Sequence, residues 1–312
     1  MQKSDWRQDR EFWCLLGALI LLLLACTKPI LMMDREVRSY LFIIDITQSM
    51  NVEDMELSGI QVSRLAYTRK MLHEATKVLP CGSRVGLGIF AKAHAILLYR
   101  PIEVCANFDV LQDSIDHLDW RMASHGSSHL RFGLQSMATL VKTQLDPTQV
   151  VFFTDGEEAP PLNDLTRISL SDWQGGRGWI LVGVGGDTPK PIPKFNAKNE
   201  VMGYWSLYSI KIEPAAVVSE ESAGKRDDSL ATDSREYYLS KLDEGYLKSL
   251  AEEIGGQYWR AKSPTEFGQY LLQLKSTLTY RTPVQMNWIL GISALFLIFL
   301  THQLGTFKKR RQ

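Results

Sequence analysis

Asp45, Thr47 and Ser49 stand at alternate positions in the stretch FIIDITQSMN, directly after an apolar run. Alternation on one turn offers one carboxylate and two hydroxyl oxygens to a common point. Asp155 ends a second apolar run, VVFFTDG, and Ser127 and Ser128 follow a glycine in SHGSSHLRFGL. Hard divalent cations take oxygen ligands, with carboxylates supplying charge and hydroxyls supplying neutral donors. The five positions Asp45, Thr47, Ser49, Ser128 and Asp155 therefore read as a candidate set for Mg²⁺, or for Ca²⁺ or Mn²⁺, with Ser127 as a neighbouring choice. The plainer reading of the first three is a strand-to-helix turn with side-chain capping. Joint placement of all five on one rim tells the two readings apart.

That placement depends on the elements. YLFIID (40–45), VVFFTDG (150–156) and WILVGVGG (179–186) are short apolar runs suited to buried strands. Helical spacing appears over 63–79, with Ser63 as N-cap and Leu65, Leu72, Ala75 and Leu79 on one stripe. It recurs over 108–118 (Val110, Leu111, Ile115, Leu118), 130–145 (Leu134, Met137, Leu140, Val141), 242–254 and 264–278. RVGLGIFA and AHAILLYRPIEV suggest a hairpin turning near Lys92, and QYWRA a last short strand. The segment 187–199 reads as loop, VMGYWSLYSIKI as a small hairpin, and 213–234 as a polar excursion within an insertion of about 187–241. The βα alternation predicts an α/β, doubly wound, mostly parallel sheet with one antiparallel edge hairpin. In such a sheet the ligand crevice lies beyond the carboxyl ends of the strands. Asp45 and Asp155 would share that rim.

The hairpin would bring Cys81 and Cys105 almost opposite each other at its open end, which predicts a disulfide; two buried free thiols are the alternative. Cys14 and Cys26 lie in an uncharged segment, 12–25 and just beyond, that with 1–33 reads as an N-terminal anchor, a cleaved signal or a lipoprotein signal at Cys26. Residues 284–304 form a second apolar segment of roughly the 20 residues a bilayer requires, with Trp288 near one edge. The basic tail 305–312 follows, so the C-terminus is expected in the cytoplasm and the domain 34–280 in the periplasm, at a bacterial inner membrane. Lys and Arg number 35, as do Asp and Glu, so no basic face points to nucleic acid.

Three segments, FIIDITQSM, GSSHLRFGL and FFTDGEE, resemble the metal-ion-dependent adhesion site of a von Willebrand factor type A domain. The likeness extends over roughly 38–278. It implies Asp45, Thr47, Ser49, Ser128 and Asp155 as ligands, with Thr47 where Ser is usual and Ser128 where Thr is usual. It implies a binding module, not an enzyme, whose metal accepts a carboxylate from a partner protein. Flanking membrane segments resemble those of bacterial aerotolerance-type proteins. DITQSMNVEDM and the hairpin around 80–105 look most like type A proteins of methanol-dehydrogenase clusters. That likeness implies a role in maturing a periplasmic quinoprotein dehydrogenase, including metal insertion, or a partnership with other type A membrane proteins.

Other residues carry weaker signals. Glu53, Asp54 and Glu56 read as an acidic rim or as simple solubility. Gly183, Gly185 and Gly186 resemble a scrap of a phosphate loop but lack the following lysine. No nucleophile elbow is present. A metal-assisted hydrolase would need His125, His129 or Glu157 as base, and a membrane scaffold with a vestigial site is the third alternative.

Overall fold

The first apolar run becomes the sheet's central strand because it is buried on both faces. The structure, a computed structural model, describes residues 6–122, 128–145, 148–159, 161–162, 167–170, 176–196, 198–206, 237–274 and 278–309. It divides into two units, 1–36 with 279–312, and 37–278.

The terminal unit holds α1 (Trp6–Cys26), β1 (Ile30–Val37), β14 (Leu278–Gln285) and α7 (Asn287–Lys309). β1 and β14 pair as a two-stranded sheet, and Met286 N–H bonds Pro29 O at 3.0 Å. A helix running to 278 and then directly into a membrane segment is thus corrected: strands intervene at both ends. The cause is visible in ILMM (30–33), whose apolar character continues that of α1 but extends once past Pro29. α1 and α7 pack on each other, with Ala18 and Ala294 buried. Phe12, Trp13, Leu19, Leu23, Leu295, Phe296 and Phe299 are exposed.

Among the described residues no helix is long and apolar enough to cross a membrane. Arg7, Asp9, Arg10 and Glu11 occupy the start of α1, so its apolar run begins only at Phe12, and that of α7 gives way to Thr301, His302 and Gln303.

The larger unit is built on a 6-stranded sheet of order β13-β8-β7-β2-β5-β6. Its strands are β2 (Ser39–Asp45), β5 (Arg84–Ala91), β6 (His94–Glu103), β7 (Gln149–Thr154), β8 (Ile180–Gly183) and β13 (Gln257–Arg260). All neighbours are parallel except β5 and β6, which form the edge hairpin. Ala91 pairs with His94, leaving Lys92–Ala93 as the turn, with Lys92 at φ 59. Cys81 and Cys105 are disulfide-bonded with Cα atoms 5.2 Å apart.

Helices cover both faces. Tyr40, Phe42 and Ile44 of β2 face α2 (Arg64–Val78), α3 (Phe108–Asp116) and α6 (Pro264–Gln273). Leu41 and Ile43 face α4 (Leu130–Gln144) and α5 (Glu244–Ile254). Each such large side chain contributes about 1.5–3 kcal/mol by leaving water. Val110 departs from the expected stripe of α3: it is exposed, while Leu111, Ile115 and Leu118 are buried. α5 starts on the Asp243 cap and stops at Gly255, which takes the left-handed conformation (φ 70) that only glycine adopts freely.

Short hairpins complete the unit. β3 (Glu53–Leu57) pairs with β4 (Ile60–Ser63) beside the central strand's end. The insertion contains β9 (Lys190–Pro191), β10 (Pro193–Phe195), β11 (Val201–Tyr204) and β12 (Leu239–Ser240). β10 pairs with β11 and β9 with β12, so 187–199 is not loop throughout. The first part of the hairpin expected within 201–212, β11, pairs with β10; residues 207–212 lie outside the described residues. Trp120 stacking on Phe195 at 5.8 Å and Lys194 over Trp205 at 4.7 Å hold these short pieces in place. The polar excursion at 213–234 lies outside the described residues.

Candidate metal centre

β2 sends the chain to β5 on one side, while β7 joins it on the other. The strand order therefore reverses between β2 and β7, which opens a crevice at their carboxyl ends. Asp45 is the last residue of β2, and Asp155 immediately follows β7. Both are fully buried.

Asp45 Oδ1 accepts from Thr47 N–H at 2.9 Å and Thr47 Oγ1 at 2.6 Å. Asp45 Oδ2 accepts from Thr154 Oγ1 at 2.8 Å. Ser49 Oγ lies 3.3 Å from Thr47 Oγ1. Thr47 precedes a buried 3₁₀ turn, Gln48–Asn51, that holds Ser49, and both residues are buried. The first segment is therefore gathered around one carboxylate.

Asp155 Oδ1 accepts from Glu157 N–H at 3.0 Å and Oδ2 from Arg64 Nη1 at 2.6 Å. Ser128 lies in a backbone bridge: its N–H and C=O bond Ala159, both at 2.9 Å. Its hydroxyl is buried and finds no hydrogen-bond partner among the described residues. A buried hydroxyl left without a partner costs about 1–3 kcal/mol. Ser127, His125 and Gly126 lie outside the described residues. His129 packs edge-on to Phe132, ring centres 6.2 Å apart.

Charge tells the same story. Burial, and then the charge of Asp155, push the Asp45 carboxyl up to about 7, against the pull of its Thr47 and Thr154 bonds. Glu157 is also pushed up to about 7, by burial and then by Asp155, and its Oε2 finds no hydrogen-bond partner among the described residues. Asp155 pairs with Arg64, whose charge also pulls on Glu157.

Arg64 and Asp54 are the site residues that the sequence reading missed. Asp54 is not a rim acid: its side chain is 2% exposed and bonds Arg64 Nη2 at 2.7 Å. Glu53 and Glu56 remain exposed. A signal existed. Arg64 is the first residue of α2, right after the Ser63 cap, where the helix dipole disfavours positive charge. In the Gly183–Gly186 stretch, Gly185 and Gly186 make room for this pair. Gly185 has φ 147 and a Cβ there would sit 3.0 Å from Arg64 Nε, while Gly186 N–H bonds Asp54 Oδ2 at 2.9 Å.

The α/β fold with its rim site defines a class. Residues 40–158 match the family model of the von Willebrand factor type A domain. In fold it is similar to an aerotolerance-related membrane protein from Bacteroides fragilis, at TM-score 0.52 and 16% identity, over 76% of this chain and 97% of that one. It is similar also to BatB from Bacteroides thetaiotaomicron, at TM-score 0.50 and 16% identity, over 76% and 100%. Identity this low establishes the fold alone. No curated protein sequence matches the chain.

Proposed function

We propose that the domain binds a partner protein through a divalent metal ion. Asp45, Thr47, Ser49, Ser128 and Asp155 would hold Mg²⁺, Ca²⁺ or Mn²⁺, and the ion would offer a coordination position to a carboxylate of the partner. The observation that carries this reading is the orphan Ser128 hydroxyl, buried on the rim whose carboxylates carry more negative charge than Arg64 offsets. Oxygen-only donors suit hard cations. Glu157, with its raised pKa, favours the second reading of a metal-assisted hydrolase, for which it would be the base.

We place the domain in the periplasm at the inner membrane. The exposed apolar side chains of α1 and α7 support this, as contiguous apolar surface of that kind is rare on water-facing helices. So do the small residues at the helix contact, where a Cβ on Gly17 would approach Leu297 to 3.5 Å. The similar Bacteroides fragilis structure is described as a membrane protein. For the client we propose a periplasmic quinoprotein dehydrogenase such as methanol dehydrogenase, assisted in maturation or metal insertion, or another type A membrane protein. The wording of DITQSMNVEDM and the 80–105 hairpin supports this choice.

Crosslinking and pull-down from native membranes tests the reading. Capture should require a divalent cation and vanish with Asp45→Ala. Capture that is indifferent to both chelator and substitution would refute it, and turnover of a hydrolysable substrate lost with Glu157→Gln would favour the second reading.

A further inference from the structure

Arg64 is bonded to far more than a structural arginine needs. Its guanidinium is fully buried and donates to four separate segments. Nε and Nη2 bond Asp54 at 3.0 and 2.7 Å. Nη1 bonds Asp155 Oδ2 at 2.6 Å, Ser240 Oγ at 2.8 Å and the Ser49 carbonyl at 3.4 Å. Nη2 also bonds the Ser240 carbonyl at 3.3 Å.

Ser240 belongs to the strand that brings the insertion back to the sheet. The whole returning segment is stitched to the candidate site. Tyr238 and Ser240 lie close enough to the Glu157 carboxyl to draw its pKa down against burial. Asp243 N–H bonds the Asp155 carbonyl at 2.8 Å, and Leu242 N–H bonds Gly186 O at 3.0 Å. Ser240 itself is 1% exposed. The insertion's return strand is therefore a wall of the site, and Arg64 touches both this wall and two of the ligand-bearing segments.

We infer that Arg64 is a positioning residue that couples occupancy of the metal centre to docking of the insertion strand at Tyr238–Asp243. The inference rests on the metal reading above. A cation drawn to Asp155 changes what Asp155 offers to Arg64, and Arg64 passes that change to Ser240. By linkage the effect is reciprocal: a partner that shifts the strand shifts metal affinity by the same factor. The partner-facing site and the insertion would then respond together.

Hydrogen exchange on the full-length chain, with chelator and with saturating Mg²⁺, tests this, with calorimetry of Mg²⁺ binding alongside. Exchange in peptides covering Tyr238–Asp243 should slow with Mg²⁺ by at least about fivefold, the low end of ordinary coupling between sites. The dependence should be lost in Arg64→Lys, which keeps the charge but cannot reach Asp54, Asp155 and Ser240 at once. Ser240→Ala leaves both carboxylates paired and so spares folding; it should bind Mg²⁺ and show a reduced dependence. Normal Mg²⁺ binding with exchange unmoved by the metal overturns the inference alone. The same Mg²⁺ dependence in Ser240→Ala overturns it too. Absence of Mg²⁺ binding to the native chain overturns the metal reading and the inference with it.

Discussion

Asp45→Asn should make the metal-free protein more stable at pH 8, although it removes a central residue of the site. The Asp45 carboxyl has a folded-state pKa near 7 against an ordinary 3.8. A carboxyl raised in this way adds stability below about pH 4, and that stability is lost as pH rises through 7. A gap of about three units corresponds to an unfavourable contribution on the order of 4 kcal/mol at pH 8. The bonds from Thr47 and Thr154 are already included in that figure, because they help set the shifted value. Asparagine keeps an oxygen for both Thr47 donors and cannot ionise. In chelator at pH 8 the variant should therefore gain a few kcal/mol, and near pH 4 the two proteins should differ little. Mg²⁺ at a hundred times its dissociation constant should add about 2.7 kcal/mol to the native chain and nothing to the variant. Urea titrations followed by tryptophan fluorescence, at pH 4 and 8 with chelator or Mg²⁺, measure each quantity. A variant less stable than the native chain in chelator at pH 8 would refute the charge argument. An equal gain from Mg²⁺ in both proteins would refute Asp45 as a ligand.

Ser128→Ala should lower Mg²⁺ affinity in calorimetry with little loss of stability, since its hydroxyl has no hydrogen-bond partner among the described residues; unchanged affinity would remove it from the ligand set. Reducing Cys81–Cys105, or replacing both with serine, should cost about 2–4 kcal/mol for a sequence separation of 24, read as a drop in thermal midpoint between oxidised and reduced samples. Gly185→Ala should destabilise by about 1–3 kcal/mol in urea, through backbone strain at φ 147 and the close approach to Arg64. An unchanged urea midpoint would show that the Arg64–Asp54 pair can move aside.

Much of the fold was legible because its signals are local. The apolar runs 40–45, 150–154 and 180–183 have the length and composition of buried strands, and a strand buried on both faces implies helices above and below. Ser63 marks a helix start by chemistry that depends on a residue or two. β1 and β14 were hidden because each pairs with a segment at the far end of the chain, and ILMM reads as a continuation of the apolar helix. β9 and β10 were hidden because two- and three-residue strands leave no periodicity to read.

The candidate site divides along the same line. The sequence by itself determined the oxygen donors: their types and alternation place Asp45, Thr47 and Ser49 on one turn, and the strand ends place Asp45 and Asp155 on one rim. Only the tertiary structure decided the electrostatics. Arg64 meets Asp155 across 91 positions of chain and Ser240 across 176, and Asp54 turns inward to join them. A charge buried at such separations is set by which segments fold together, because desolvation and Coulomb energy depend on distance in space, which spacing along the chain does not encode.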